Sequence, residues 1–236
     1  MPGDTRVQFV DAEYAEAERF VDSILPRDGV LKVLDIKAGE QRFELRRPIY
    51  VVGVDVVQAE RGRRHDADEH RVMDLEQVEL ETEEYDVVLC INVLEHAREP
   101  LALFEPMWNA LKIGGTFVVV LPNVASLKSF VARLTPLAVH RWFYKVVLRA
   151  DSYPARAVHS FSLRPRSLLR QAHLRGWRVE YFRAYEGPVQ KSVRHRIGMV
   201  GRRWRIVVAL TRAMTLGLLT ADETGIIAVF RKTPLS

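Results

Sequence analysis

The chain has 236 residues, of which 48% are hydrophobic and 28% charged, which excludes a disordered polymer and suits one globular domain with a substantial core. Its single cysteine, Cys90, lies inside an apolar run, so it cannot form an internal disulfide and reads as a small buried hydrophobe. The net charge of +5 conceals a division: residues 1–122 carry 14 Lys/Arg against 25 Asp/Glu, and residues 123–236 carry 21 against 5. A field that attracts an anionic substrate, a lipid surface or nucleic acid therefore belongs to the second half, although solubility is a plainer use for many of its arginines. The N-terminal stretch MPGDTRVQFVDAEYAE has no basic start followed by an apolar run, so no signal peptide is expected.

Residues 11–24 place Ala15, Phe20, Val21 and Ile24 between acids and predict an amphipathic helix ended by Pro26, packed on a sheet or over the mouth of a ligand site. Residues 31–36 predict a strand. Residues 41–47 leave room for about two helical turns before Pro48. Strands follow at 50–55, 70–74, 85–91 and 116–121, with a polar crossover at 56–69 that reads mostly as loop. These runs are short, rich in Val, Ile and Leu, and lack clean alternation, as in strands covered on both faces. The periodic run LALFEPMWNALK after Pro100 predicts a helix closing at Gly114 and Gly115, starting late or bending at Pro106. Strand, crossover, strand in succession predicts parallel pairing.

After Asn123 the pattern changes. Residues 125–149 are apolar and basic by turns, and Pro136 should split them into two helices. Residues 162–173 predict a helix stopped by Gly176, residues 177–185 a strand, and residues 225–231 a final strand that completes the sheet as a hairpin-like pair. The basic segments then become cap insertions at 124–160 and 186–222 within one domain of residues 1–236. The tract 204–219 contains Arg205 and Arg212 and is too short to cross a bilayer. It is expected to be a buried cap helix, and the alternative is a helix lying against a membrane with its arginines among the headgroups. Met199, Met214, Trp142, Phe143 and Tyr144 are read as core of that cap.

Three of the apolar runs end near a polar residue: Asp35, Asp55 and Asn92, with Asp74 on a short segment before the third. In an open parallel sheet the ligand lies beyond such carboxyl ends. A carboxylate at Asp55 can accept hydrogen bonds from both hydroxyls of a ribose, or can cap the next turn. Gly39 permits close or unusual backbone. His96, beside Glu95, is a base or a helix buttress, and His159 precedes a Ser-Phe-Ser segment that could face the pocket. His140 and His195 could meet a substrate phosphate or solvent. His65, Asp66, Asp68 and His70 have metal-capable side chains at a spacing that matches no strong motif, so no metal site is expected. Nothing in the sequence matches a Ser-His-Asp site, a P-loop or a zinc finger.

The stretches VLDIKAGE, VVGVDVV, RVMDLEQV, EYDVVLCINVLEHAREP and LKIGGTFVVVLPN resemble, in order and spacing, the class I S-adenosylmethionine-dependent methyltransferases. The likeness extends through HSFSLRPRSLLRQAHLRGWRV, similar to a late segment of small-molecule, lipid and glycan methyltransferases. It implies an α/β fold: a doubly wound, mostly parallel seven-stranded sheet of Rossmann-like type with helical cap insertions. It also implies S-adenosyl-L-methionine as cofactor. By position, Asp35 would shape the first loop, Asp55 would hold the ribose, and Asp74 with the backbone of Leu75 would meet the adenine. Asn92, Leu94 and His96 would line the region of the methionine and its methyl.

The family reads Asp-x-Gly-x-Gly-x-Gly at the first loop, whereas this chain reads Asp35-Ile36-Lys37-Ala38-Gly39-Glu40-Gln41. Lys37 either points outward or meets the cofactor's carboxylate as a point charge, or else the domain keeps the fold without the cofactor. The crossovers after the first two strands are also shorter than in the family. The resemblance implies methyl transfer to an oxygen or nitrogen of an anionic or amphiphilic small molecule, lipid or glycan, with His96 or His159 as base where the acceptor is a hydroxyl. The alternative is an inactive binding or scaffold module, sited at a membrane. A nucleic acid partner is not expected, because no compact aromatic and basic stacking motif is present. The expected location is the cytoplasm, or the inner face of a membrane as a peripheral protein.

Overall fold

Seven apolar runs of the chain become the seven strands of one sheet. The structure is a computed structural model, which describes residues 12–37, 43–56, 67–73, 79–135 and 163–234. The strands are β1 (Leu31–Lys37), β2 (Ile49–Val56), β3 (Glu69–Met73), β4 (Tyr85–Ile91), β5 (Leu111–Pro122), β6 (Arg178–Tyr185) and β7 (Gly225–Arg231). They lie in the order β3-β2-β1-β4-β5-β7-β6. The first five are parallel, and β7 runs antiparallel to both β5 and β6. The chain thus has a mixed, mostly parallel Rossmann-like sheet with helical insertions, as its sequence predicts.

Alternate residues of each strand feed two separate cores, one on each face. On one face Leu34, Val52, Cys90, Phe117 and Phe230 join buried residues of the helices α2 (Phe104–Ala110) and α4 (Pro165–Leu174). Its centre is aromatic: Trp108 and Trp177 stack with ring centroids 4.3 Å apart, and Phe104, Phe117 and Phe230 surround Trp177. On the other face Val33, Val87, Leu89, Val118 and Val229 pack with Tyr14, Ala17 and Val21 of α1 (Ala12–Ile24). Cys90 is completely buried, and burial pushes its thiol's pKa far up, with the nearby charges of Glu95 and Asp35 adding to the shift. The described helices are completed by α3 (Leu127–Leu134), α5 (Pro188–Arg196) and α6 (Gly201–Met214).

Three expectations are corrected. Residues 43–48 form no helical turns but an irregular segment beside α1. Glu18 and Asp22 accept hydrogen bonds from the amides of Glu44 and Arg46, at 2.8 and 2.9 Å, while Phe43 and Leu45 turn toward the core. Side chains of α1 thus satisfy backbone that a helix would have satisfied internally. The helix after Pro100 ends at Ala110, not at the two glycines. The amides of Glu83 and Glu84 donate to the carbonyls of Asn109 and Ala110, and Leu111 is already paired with Tyr85 in the sheet. Gly114, at φ +82°, lies in the irregular start of β5, where the register against β4 shifts, and an added Cβ on Gly115 would lie 2.8 Å from the Lys112 carbonyl.

The third correction concerns the cap. The tract at 204–219 is not a buried helix: only Thr211 of α6 is buried, and Met214 is 82% exposed. Met199, also assigned to a core, is half-buried. By contrast α4 ends where Gly176 predicts. Gly176 has φ +67°, its amide donates to the His173 carbonyl, and the Trp177 amide donates to that of Ala172. The expectations for Pro136, His140, Trp142, Phe143 and Tyr144, and for His65 and Asp66 in the crossover, lie outside the described residues.

Candidate functional site

Parallel register brings the carboxyl ends of three central strands level. Lys37 is paired with Asp55 of β2 on one side and with Ile91 of β4 on the other. Adjacent strands lie about 5 Å apart, so residues 37, 55 and 91 span one short edge. Asp35, two residues back along β1, is buried. Asn92 follows at once on β4, and its amide donates to the Val120 carbonyl at 2.8 Å. Its φ is +53°, a left-handed conformation that asparagine tolerates better than most residues and that often marks a functional turn.

The chain then makes a single 3-10 turn, Leu94–His96. Leu94 is buried in the core of the α2 face, and His96 is half-buried. The turn carries no side-chain cap, and its hydrogen bonds run from His96 to the Val93 carbonyl and from Ala97 to that of Leu94. Glu95, between Leu94 and His96, is only 5% exposed. Its Oε2 has no hydrogen-bond partner among the described residues, and burial pushes its carboxyl up to about 8. In the sequence Glu95 stands out only as a neighbour of His96. An acid directly after the apolar pair Val93 and Leu94 in VLEH is the available signal.

Next along the edge, β5 ends in a fixed polar joint. Asn123 is fully buried; its Nδ2 donates to the Glu223 carbonyl at 2.9 Å and its Oδ1 accepts from the Ala125 amide at 2.9 Å. Ser126 caps α3 by accepting from the Ser129 amide, and the Ser129 hydroxyl donates back to the Asn123 carbonyl. Gly225 starts β7 beside it, where an added Cβ would fall 2.6 Å from the Tyr185 ring.

The fold therefore brings Asp35, Lys37, Asp55, Asn92, Leu94 and His96 to the carboxyl ends of β1, β2 and β4. For Lys37 and Asp55 that statement concerns backbone position. Gly39, Asp74, Leu75 and His159 lie outside the described residues. Asp68 accepts from the Val51 amide at 2.7 Å, a structural use, and no group of metal-capable side chains gathers among the described residues. A surface hollow lined by Arg19, Asp22, Arg46 and Arg47 opens beside the start of β2, at the opposite edge of the sheet.

Residues 37–119 match a family described as a methyltransferase domain, about a third of the chain. The matched stretch begins at the last residue of β1 and runs into β5, so it contains most of the edge just described. A search of curated proteins gives no match. Among solved structures, a putative methyltransferase from Bacillus halodurans is similar with a TM-score of 0.52 and 16% identity, covering 94% of this chain and 100% of that one. Phosphoethanolamine N-methyltransferase 2 of Haemonchus contortus, in complex with S-adenosyl-L-methionine, has a TM-score of 0.52 at 14% identity over 93% of this chain and 53% of its own. The [4+2]-cyclase SpnF has a TM-score of 0.51 at 17% identity, covering 92% of this chain and 81% of its own. At these identities the likeness establishes the fold, which different reactions share.

Proposed function

We propose that this chain, which has the class I methyltransferase fold, is an S-adenosylmethionine-dependent methyltransferase acting on a small anionic or amphiphilic acceptor. The observation that carries the reading is the methyltransferase-domain match over the segment that builds the edge at Lys37, Asp55 and Asn92. The residues at that edge suit the cofactor in type: an acid at the end of β2, a buried acid on β1, and a left-handed turn opening after β4. Lys37 stands where the family carries a glycine, and there it serves as a counter-charge to the cofactor's carboxylate. Asp55 is assigned the ribose hydroxyls, Asp74 and the Leu75 backbone the adenine, and Asn92 and Leu94 the methionine side.

The cofactor supplies an electrophilic methyl group on a sulfonium. The chain's own work is to align an acceptor oxygen or nitrogen, exclude water, and hold a proton where the acceptor is a hydroxyl. His96 and His159 are the assigned proton acceptors. Glu95, next to His96 in the chain, is a further candidate, because its raised proton affinity suits a group that exchanges a proton near neutral pH.

A second reading, a binding module that has lost the cofactor, is favoured by the replacement of two loop glycines with Lys37 and Gln41. Calorimetric titration with S-adenosylmethionine separates the two. The enzyme reading expects saturable binding that Asp55→Ala weakens by roughly a hundredfold, the loss of two charge-assisted hydrogen bonds. Absence of binding by the wild-type chain at millimolar cofactor would sink it.

A further inference from the structure

The basic half contains the largest departure from ordinary burial. No residue of α5 is buried, and α6 buries only Thr211. The inward face of α6 is Trp204, Val207, Val208 and Thr211, the four least exposed positions of the helix. The opposite face carries Ile206 and Leu210, and Met214 continues the line at the next i+4 step. Beyond the helix, Leu216 and Leu218 extend the apolar line, and Leu216 is 90% exposed. Leu216 also holds a left-handed φ of +50° at the helix stop, followed by Gly217 at +74°. An apolar side chain is thus presented to solvent at a position where glycine is the relaxed choice.

Charge is arranged around this stripe with a consistent sign. Arg202 and Arg203 in the first turn of α6, and Arg205 just after it, are exposed and make no ion pair among the described residues. No acidic residue accompanies them in that turn. Cations at a helix N-terminus oppose the helix dipole, so this placement costs the isolated helix stability and is relieved when anions approach. Arg194 packs over the Trp204 ring, its guanidinium carbon 5.4 Å from the ring centroid, and pairs with Glu186, which ties the start of α6 to α5. Arg212, farther along, is neutralised by Asp222 and Glu223. The uncompensated charge is therefore confined to one end of an exposed apolar stripe.

We infer that the outward face of α6, with the turn through Leu218, docks on an anionic lipid bilayer. Ile206, Leu210, Met214, Leu216 and Leu218 enter the boundary between headgroups and acyl chains, and Arg202, Arg203 and Arg205 meet the phosphates. No helix among the described residues is long and apolar enough to cross a membrane, so the contact is interfacial. A symmetric pairing of two copies through the same face offers these arginines no acidic residue of α6, whereas a bilayer of anionic lipid opposes them with the complementary charge. The surface adjoins the carboxyl edge of the sheet, because Thr220 pairs with Ser126 just beyond β5. A membrane-bound acceptor could reach the proposed site from there. The inference itself does not depend on methyl transfer.

The test is flotation of the full chain with vesicles of equal parts phosphatidylglycerol and phosphatidylcholine, against phosphatidylcholine alone, at low and high salt. Binding is expected to the anionic vesicles only, and to weaken with salt. Each basic residue near such a surface contributes roughly fivefold, so Arg202→Glu with Arg203→Glu and Arg205→Glu should lower partitioning by at least about a hundredfold. Leu210→Ser with Leu216→Ser should lower it by at least about tenfold. All five positions are exposed, so both variants should keep the wild-type melting temperature. The inference is overturned if the wild type stays unbound, or if both folded variants float like it. It is equally overturned if sedimentation shows that Leu210 and Leu216 instead hold two copies together, or a co-purifying acidic protein, with no vesicle binding.

Discussion

The sheet and the helix α6 handle apolar residues in opposite ways. Across the sheet, Phe117, Val119, Ile226 and Phe230 are fully enclosed, and both faces are covered. On α6, leucine and isoleucine of the same hydrophobicity lie in the open, and Arg202, Arg203 and Arg205 at its start make no ion pair among the described residues. Burial in the sheet region pays for chain ordering through area removed from water. The exposed stripe gains nothing of that kind from the chain's own fold. Hydrophobicity alone therefore does not identify a core. The core is where strand pairing from distant parts of the chain gathers apolar side chains from several elements at once.

Three experiments break or sharpen that contrast. The largest effect is expected for Phe117→Ala, which opens a void amid Phe104, Trp108, Trp177 and Phe230 and should cost about 4 kcal/mol in urea unfolding. Its counterpart Leu210→Ala should change stability by less than about 0.5 kcal/mol. Similar losses at the two positions would show that α6 is packed after all, and the contrast would fail.

Glu95→Gln should have an intermediate effect, and one that depends on pH. In the folded chain this carboxyl keeps its proton up to about 8, against 4.5 for an ordinary glutamate. Between those values the folded state holds more protons than the unfolded state, so Glu95 makes stability fall as pH rises. The slope is about −1 kcal/mol per pH unit. The glutamine variant should match the wild type below the lower value and exceed it above the upper one. Parallel stability curves for the two proteins would mean that the carboxyl is solvated.

The smallest effect concerns the link between the two regions. Lys191 of α5 meets Glu13 of α1 at 3.1 Å, with both side chains about a quarter exposed. Lys191→Met should cost less than about 1 kcal/mol in thermal unfolding, as partly solvated pairs do. A loss of several kcal/mol would show that the basic helices are held to the sheet more firmly than their exposure suggests.

Much of this arrangement was legible in the residues. Short Val- and Ile-rich runs, each punctuated by a turn, predicted all seven strands and their mostly parallel pairing. The late antiparallel pair answers to two strand-like runs, at 177–185 and 225–231, that stand on either side of the second basic segment and were expected to form a hairpin-like pair. Gly176 marked the end of α4 because a left-handed residue there closes the last turn locally. The site was half legible: Asp55 and Asn92 could be placed at strand ends by pattern. The register that sets Lys37 between Asp55 and Ile91 joins segments far apart in sequence, which no local period reports.

What the sequence determined by itself was therefore everything governed by neighbours along the chain: strand periodicity, glycine stops, and the acidic and basic halves. Tertiary structure alone decided which polar groups left water. It buried Glu95 with its Oε2 unpartnered among the described residues, and it ended α2 at Ala110 by supplying amides from Glu83 and Glu84. It replaced the helical turns expected at 41–47 with an irregular segment, over its described residues, bound to α1, and it left the stripe of α6 exposed. The reason is common to all four. Solvation and hydrogen-bond satisfaction depend on which distant groups arrive nearby, and that is a property of the assembled fold.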